Sequence, residues 1–202
     1  MNASLPLDEA ALLAEMKRAL ADQFRFFSNP GKEERERWVV NEFLVQLGLP
    51  FSDTELHSHH QASKVDVEFR DADFQVKEIT DPNFRRGDEI KITYQRVLEA
   101  KTLQDTVGPG FVYDVPSPVS GYALVRDTAI ELVTSTTYRD HRARLDLLCY
   151  VTRTRTSLIT RDQLRLAEMA AVGWRSVSCL IGNQATVLYA GPGAAAFLHE
   201  AT

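Results

Sequence analysis

Between residues 7 and 27 the apolar positions Leu12, Leu13, Met16, Leu20, Phe24 and Phe27 recur at steps of three and four, which predicts an amphipathic helix. Asn29-Pro30-Gly31 ends it. A second helix is expected over about 32–47, with Val40, Phe43, Leu44 and Leu47 as its buried stripe and Gly48 as its stop. One turn back from Val40 this stripe reaches Glu36, so a carboxylate is aimed inward, while Glu33, Glu34 and Glu42 face water.

From Lys64 to Ile79 the period changes to two on both sides of Asp71-Ala72, the pattern of a β-hairpin. With Asp71 and Ala72 as a two-residue turn, Arg70 pairs with Asp73, Glu68 with Gln75 and Asp66 with Lys77. One face then carries Asp66, Glu68, Gln75 and Lys77, and the other Val65, Val67, Phe69, Phe74 and Val76. Any register that keeps the apolar positions together preserves this sorting, because a one-residue slip would split them.

Farther on, Asp88 to Leu103 reads as a helix, Asp105 to Ser117 as a long loop, and Pro118 to Thr136 as a helix with proline in its first turn. Leu145 to Val151 is a nearly continuous apolar run, suited to a parallel strand buried on both faces. A short helix over 162–172 closed by Gly173 and two strands, 175–181 and 184–189, joined at Gly182-Asn183, complete the chain. No Pro/Gly/Ser-rich or charged linker interrupts it, so one domain spanning 1–202 is expected, with its core at about 31–151, an N-terminal helix at 7–28 and C-terminal elements at 160–190.

Composition changes the picture only through charge. The chain has 202 residues, 44% hydrophobic and 25% charged, the usage of an ordinary globular protein. Its formal net charge of -5 argues against a protein that coats nucleic acid or an anionic membrane by bulk attraction. The acidic excess lies in the first two thirds, whereas residues 139–202 are basic, and Arg139, Arg142, Arg144, Arg153, Arg155, Arg161 and Arg165 make the one candidate footprint for a phosphate backbone. Scattered arginines on a solvated face would look the same. Cys149 and Cys179 sit in apolar runs and read as buried thiols; with no basic leader followed by an apolar stretch and no span-length apolar run, a cytoplasmic protein away from the membrane is expected.

The hairpin is where chemistry concentrates. Mg²⁺ prefers oxygen ligands, several of them water or phosphate, with one or two carboxylates. Asp66 and Glu36 could anchor such an ion (or Mn²⁺), with Gln75 adding a neutral carbonyl oxygen. Lys77, two residues on, reaches the same face, where its ammonium could orient the attacking water and offset charge developing on phosphorus. The same residues would also suit a plain solvent-facing hairpin with a cross-strand Asp66–Lys77 pair. Within the His57-Ser58-His59-His60 cluster, His59 is the candidate substrate contact beside Asp66, against the alternative of a polar loop.

At these residues, Asp66, eight intervening positions, then Gln75-Val76-Lys77, the sequence resembles the restriction-endonuclease-like, or PD-(D/E)XK, nuclease superfamily in its Gln-x-Lys form. The 31–48 helix with Glu36 is similar to the first helix of archaeal Holliday-junction resolvases and Mrr-type nucleases. The chain also looks like a bacterial family of uncharacterised proteins described as candidate endonucleases. The resemblance implies an α/β fold with a central mixed sheet in α-β-β-β-α-β order flanked by helices, here extended by an N-terminal helix and a C-terminal β-hairpin. It also implies a Mg²⁺-dependent nuclease acting on DNA through Asp66, Gln75, Lys77 and Glu36; on that reading Arg139, Arg142 and Arg144 of the basic region and His59 of the histidine cluster are the expected substrate contacts. Alternatively, because Gln75 stands where an acid is commoner, it implies a catalytically inactive module of the same fold that binds nucleic acid or a protein. The first helix could also mediate a homodimer.

Overall fold

The computed structural model describes residues 8–60, 63–82, 86–110 and 116–201. In chain order its elements are α1 (Glu9–Phe27), α2 (Lys32–Gln46), β1 (Leu56–Ser58), β2 (Val67–Phe69), β3 (Ala72–Ile79), α3 (Arg86–Glu99), β4 (Val119–Ser120), α4 (Gly121–Thr134), β5 (Asp146–Val151), β6 (Thr156–Ser157), α5 (Leu166–Val172), β7 (Ser176–Ile181), β8 (Gln184–Ala190) and α6 (Ala196–Glu200). The contacts divide the chain into two compact units, Met1–Lys32 with Asn83–Val115, and Glu33–Pro82 with Pro116–Thr202.

The first unit is a helical pair. Asp8 caps α1 by accepting from the Ala10 and Ala11 amides, and Phe24 stacks on Tyr94 of α3 with ring centroids 5.0 Å apart. Lys17 Nζ donates to the Ala100 carbonyl at 2.8 Å, and Glu9 accepts from the Leu103 amide at 2.9 Å. The helix expected at 88–103 is therefore a partner of α1 and not part of the core expected at about 31–151. Leu7 and residues 111–115 of the expected loop lie outside the described residues.

The second unit is an α/β structure around a six-stranded mixed sheet of order β1-β2-β3-β5-β7-β8. β3, β5 and β7 run parallel, and the antiparallel pairs lie toward both edges. On one face Leu147, Cys149, Val177 and Cys179 pack with Tyr122, Val125 and Ala129 of α4 and Met169 of α5. On the other, Val67, Phe69, Phe74 and Leu148 pack with Val39, Val40, Phe43 and Leu44 of α2 and Phe197 and Leu198 of α6. Burial on both faces explains why β5 is apolar almost throughout.

Three expectations need correction. The hairpin turn is Arg70-Asp71, with Arg70 at φ 51, and the pairs are Val67 with Phe74, Glu68 with Asp73 and Phe69 with Ala72. The shift is two residues, so the faces keep their sorting, and the small, fully buried Ala72 fits beside Phe69 in the α2 layer. Asp66 is consequently not opposite Lys77. The second correction concerns Val65, which packs in the α4/α5 layer and not with Val67, because the ladder of β2 ends at Val67. Third, α4 begins at Gly121 and not at Pro118: Val119 and Ser120 pair with Thr156 and Ser157 as β4 and β6, and Ser120 Oγ then accepts from the Ala123 amide at 3.4 Å. Gly121 is required at this entry, since a Cβ there would lie 2.4 Å from the Ser157 carbonyl oxygen. β1 and α6 went unrecognised. Each is too short for a periodic signal, and β1 is polar except for Leu56.

Candidate active site

β3 is the element that organises the site. Its alternation sends Asp73, Gln75 and Lys77 to the face opposite α2, and its register sets Gln75 beside Leu147 and Lys77 beside Cys149. Asp66 enters this face from just before β2. Its carboxylate Oδ2 accepts from the Val76 amide at 2.8 Å and from the Gln75 side-chain amide, while its own N–H and C=O bond to Phe74 and His59. Asp66 and Gln75 are 6% and 7% exposed, whereas Lys77 is open to solvent. The Lys77 charge reaches the Cys149 thiol, where burial pushes the pKa up to about 12 and the lysine opposes it.

Glu36 is buried at 8% exposure on α2, one turn ahead of Val39 and Val40. It enters from the Val67–Phe74 side, while Gln75 and Lys77 project from the other. Trp38 of the same helix packs edge-on against Tyr150, which is in register with Glu78. The inward aim of Glu36 thus agrees with the expected stripe; the structure brings Asp66 onto Gln75 and sets Lys77 two residues farther along the same face of β3.

Beside them a cavity of about 280 Å³ is lined by Ser63, Lys64, Asp73, His141 and Arg144, among others. Arg144, one of the expected substrate contacts, is on its wall. His59 lies 3.2 Å from Glu68, the cross-strand neighbour of Asp73. Arg142 is engaged differently: its Nη1 donates to the Arg139 carbonyl at 2.9 Å, and its Nε lies 3.1 Å from where a Gly173 Cβ would stand. Arg139 is exposed in the preceding turn. Lys64, His141 and Asp73 are not among the site residues the sequence points to; the alternation of basic residues from Arg139 to Arg144 is a signal that extends to His141.

A family model described as "Putative endonuclease, protein of unknown function (DUF1780)" matches residues 8–202. The chain belongs to this family. Among solved structures it is similar to PA4535 from Pseudomonas aeruginosa strain PAO1, a protein of unknown function described as of the monooxygenase superfamily. That likeness has a TM-score of 0.58 at 24% identity, covers 96% of this chain and 93% of that one, and shows the fold alone. No curated protein matches.

Two properties of this DUF1780 site bear on its chemistry. Among the described residues no group of three or more His, Cys, Asp and Glu side chains is close enough to hold a metal ion. What Asp66 and Gln75 provide is sparse, a carboxylate and a neutral amide, a donor set that would suit only a hard ion keeping most of its water. Among the described residues, no helix is long and apolar enough to cross a membrane.

The second property is the state of Asp73. Burial raises its carboxyl above the ordinary range; Arg175 and His59 oppose the rise, and Asp146 and Glu68 add to it. A raised native pKa means that the folded protein takes up the proton first as pH falls. The resulting stability is fully present below the unfolded value of about 3.9 and is lost as pH rises through the native value. Asp73→Asn fixes the neutral form, so the wild type is expected to gain stability relative to the variant as pH falls from about 7 to about 4. Urea midpoints for the two proteins measure this, and the 38% exposure of the Asp73 side chain keeps the effect small.

Proposed function

We propose that the protein is a Mg²⁺-dependent endonuclease of the restriction-endonuclease-like, PD-(D/E)XK type, hydrolysing DNA phosphodiester bonds. The observation that carries this reading is the meeting of Asp66 with the Gln75-x-Lys77 strand on one face of a mixed sheet. The family description supports the endonuclease part of this reading alone. Asp66 and Gln75 would hold the ion, which when bound supplies Lewis acidity toward the phosphate oxygens, and Glu36, buried on the α2 side of the sheet, is left out of this ligand set. Lys77 places its ammonium where water attacks phosphorus and the P–O bond to the departing sugar oxygen breaks, offsetting charge on the phosphorane. Arg144 and His59, with Lys64 and His141 around the adjoining cavity and Arg139 and Arg142 in the turn before it, hold the flanking backbone.

The test is cleavage of plasmid and branched DNA in Mg²⁺ or Mn²⁺, run beside thermal unfolding across the same metal series. Expected are metal-dependent cleavage and a rise in stability of about 2.7 kcal/mol at a hundredfold excess over Kd. A protein that neither cleaves nor is stabilised by either metal is not such a nuclease. One observation favours the alternative of an inactive binding module: the Gln75 amide donates to the Asp66 carboxylate, satisfying it from within the protein. An inactive module would bind DNA equally well with metal and with chelator.

A further inference from the structure

A second cavity, of about 450 Å³, lies at the carboxyl ends of β5 and β7, the edge at which open α/β sheets present ligand sites. Val151, Leu158 and Ile181 form its apolar walls, and Arg153 and Asn183 also line it. The backbone of Arg153 is pinned on both sides: its N–H donates to the Ile79 carbonyl at 3.1 Å, and its own carbonyl accepts from Thr156 Oγ1 at 2.9 Å. Its side chain is not. The Nε atom is buried and has no hydrogen-bond partner, a costly state for a charged donor unless a ligand supplies the acceptor. The neighbouring threonines are committed elsewhere, Thr152 to Glu78 and Thr154 to Asp81.

A guanidinium with an open Nε edge presents the two-pronged fork that matches a phosphate or carboxylate. The walls then select what the anion is attached to. They offer apolar carbon to a compact body, and the volume is that of a small-molecule pocket. The cavity is also placed close to Lys77: Lys77 is in register with Cys149, and Val151 follows two residues later on the same face, about 7 Å farther along the strand. We infer that this cavity is a nucleotide subsite, in which Arg153 takes the phosphate and the Val151, Leu158 and Ile181 walls take the sugar and base. The inference rests on the phosphodiester-hydrolase reading only for the source of the nucleotide, which is either a residue of a strand crossing Lys77 or a free nucleotide.

Calorimetric titration of the full chain with deoxyadenosine 5′-monophosphate, and separately with a single-stranded oligodeoxynucleotide, in chelator, tests it. Arg153→Gln is compared with Arg18→Gln, an exposed arginine outside the cavity lining and outside the basic run of 139–165. Binding that weakens about tenfold or more in Arg153→Gln, and is unchanged in Arg18→Gln, is the expected result. Mononucleotide binding identifies a free ligand, and oligonucleotide binding alone identifies a strand. If Arg153→Gln does not fold, Arg153→Lys replaces it: the point charge lacks the fork, and a loss of affinity is again expected. No binding of either ligand to the wild type, or equal binding by the Arg153 variant, overturns the inference. Cleavage by the wild type is scored separately, so Arg153-dependent binding without cleavage would sink the hydrolase reading and keep the subsite, and the reverse outcome would do the opposite.

Discussion

Lys77→Ala is expected to lower phosphodiester cleavage by roughly 10²–10³-fold while leaving the fold in place, the loss typical of removing one donor aimed at developing charge. The side chain is exposed and stands on the same face as Gln75, so truncation removes an ammonium without opening a void. Lys77→Arg is not expected to restore the rate, since a planar fork replaces a compact charge. Asp66→Ala should abolish cleavage as well, but it is a less clean variant. Its carboxylate accepts from the Val76 amide and the Gln75 side chain, and stripping away an acceptor from buried donors costs about 1–3 kcal/mol. Asp66→Asn keeps an acceptor oxygen and separates the two effects. Single-turnover rates at saturating metal, alongside denaturant midpoints, are the measurements. A Lys77→Ala protein that cleaves at the wild-type rate would remove this hairpin from the chemistry.

Asp146→Ala is expected to destabilise the protein by about 3–5 kcal/mol, the range for breaking one side of a buried ion pair. Asp146 is fully buried at the amino end of β5. It accepts from the Asp73 amide at 2.9 Å, from Ser176 Oγ at 2.7 Å and from Arg175, whose Nε is 3.1 Å from both carboxylate oxygens. One side chain therefore ties the starts of β3, β5 and β7. Burial works against the Arg175 charge, and hydrogen bonding and attraction from Asp146, with help from Asp73, raise its pKa overall. Without Asp146 the cation is left with Asp73 at 3.5 Å. Replacing both members by apolar residues, as in Asp146→Leu with Arg175→Met, should cost much less than Asp146→Ala alone. Urea unfolding with an unchanged m-value would locate the loss in the native state. A change below about 1 kcal/mol would mean that water replaces the carboxylate there.

Local pattern was enough wherever burial repeats with the period of one element. The stripe of α2 and its inward Glu36, the two faces of the hairpin, the doubly buried β5 and the closing turns at Gly173 and Gly182, both with positive φ, follow from residues a few positions apart. The pairing of Asp66 with the Gln75-x-Lys77 strand was legible for the same reason. The hairpin register was not, because a two-residue slip leaves the face pattern unchanged and only the fit of Ala72 beside Phe69 selects one solution.

What depends on distant segments needed the tertiary structure. Arg175 read as the beginning of a strand, but the parallel alignment of β5 and β7 brings it to Asp146, 29 positions away, and makes it part of a buried pair. The basic run after position 138 likewise divides by location: Arg144 lines the cavity beside Asp73, Arg142 turns to the Arg139 carbonyl, and Arg153 reaches a separate cavity at the opposite ends of the strands. By itself the sequence determined which residues are chemically equipped and which face of an element each occupies, since both are set by residue type and local period. Only the three-dimensional packing decided which of those faces meet, because strand order and register come from burial summed over the whole sheet.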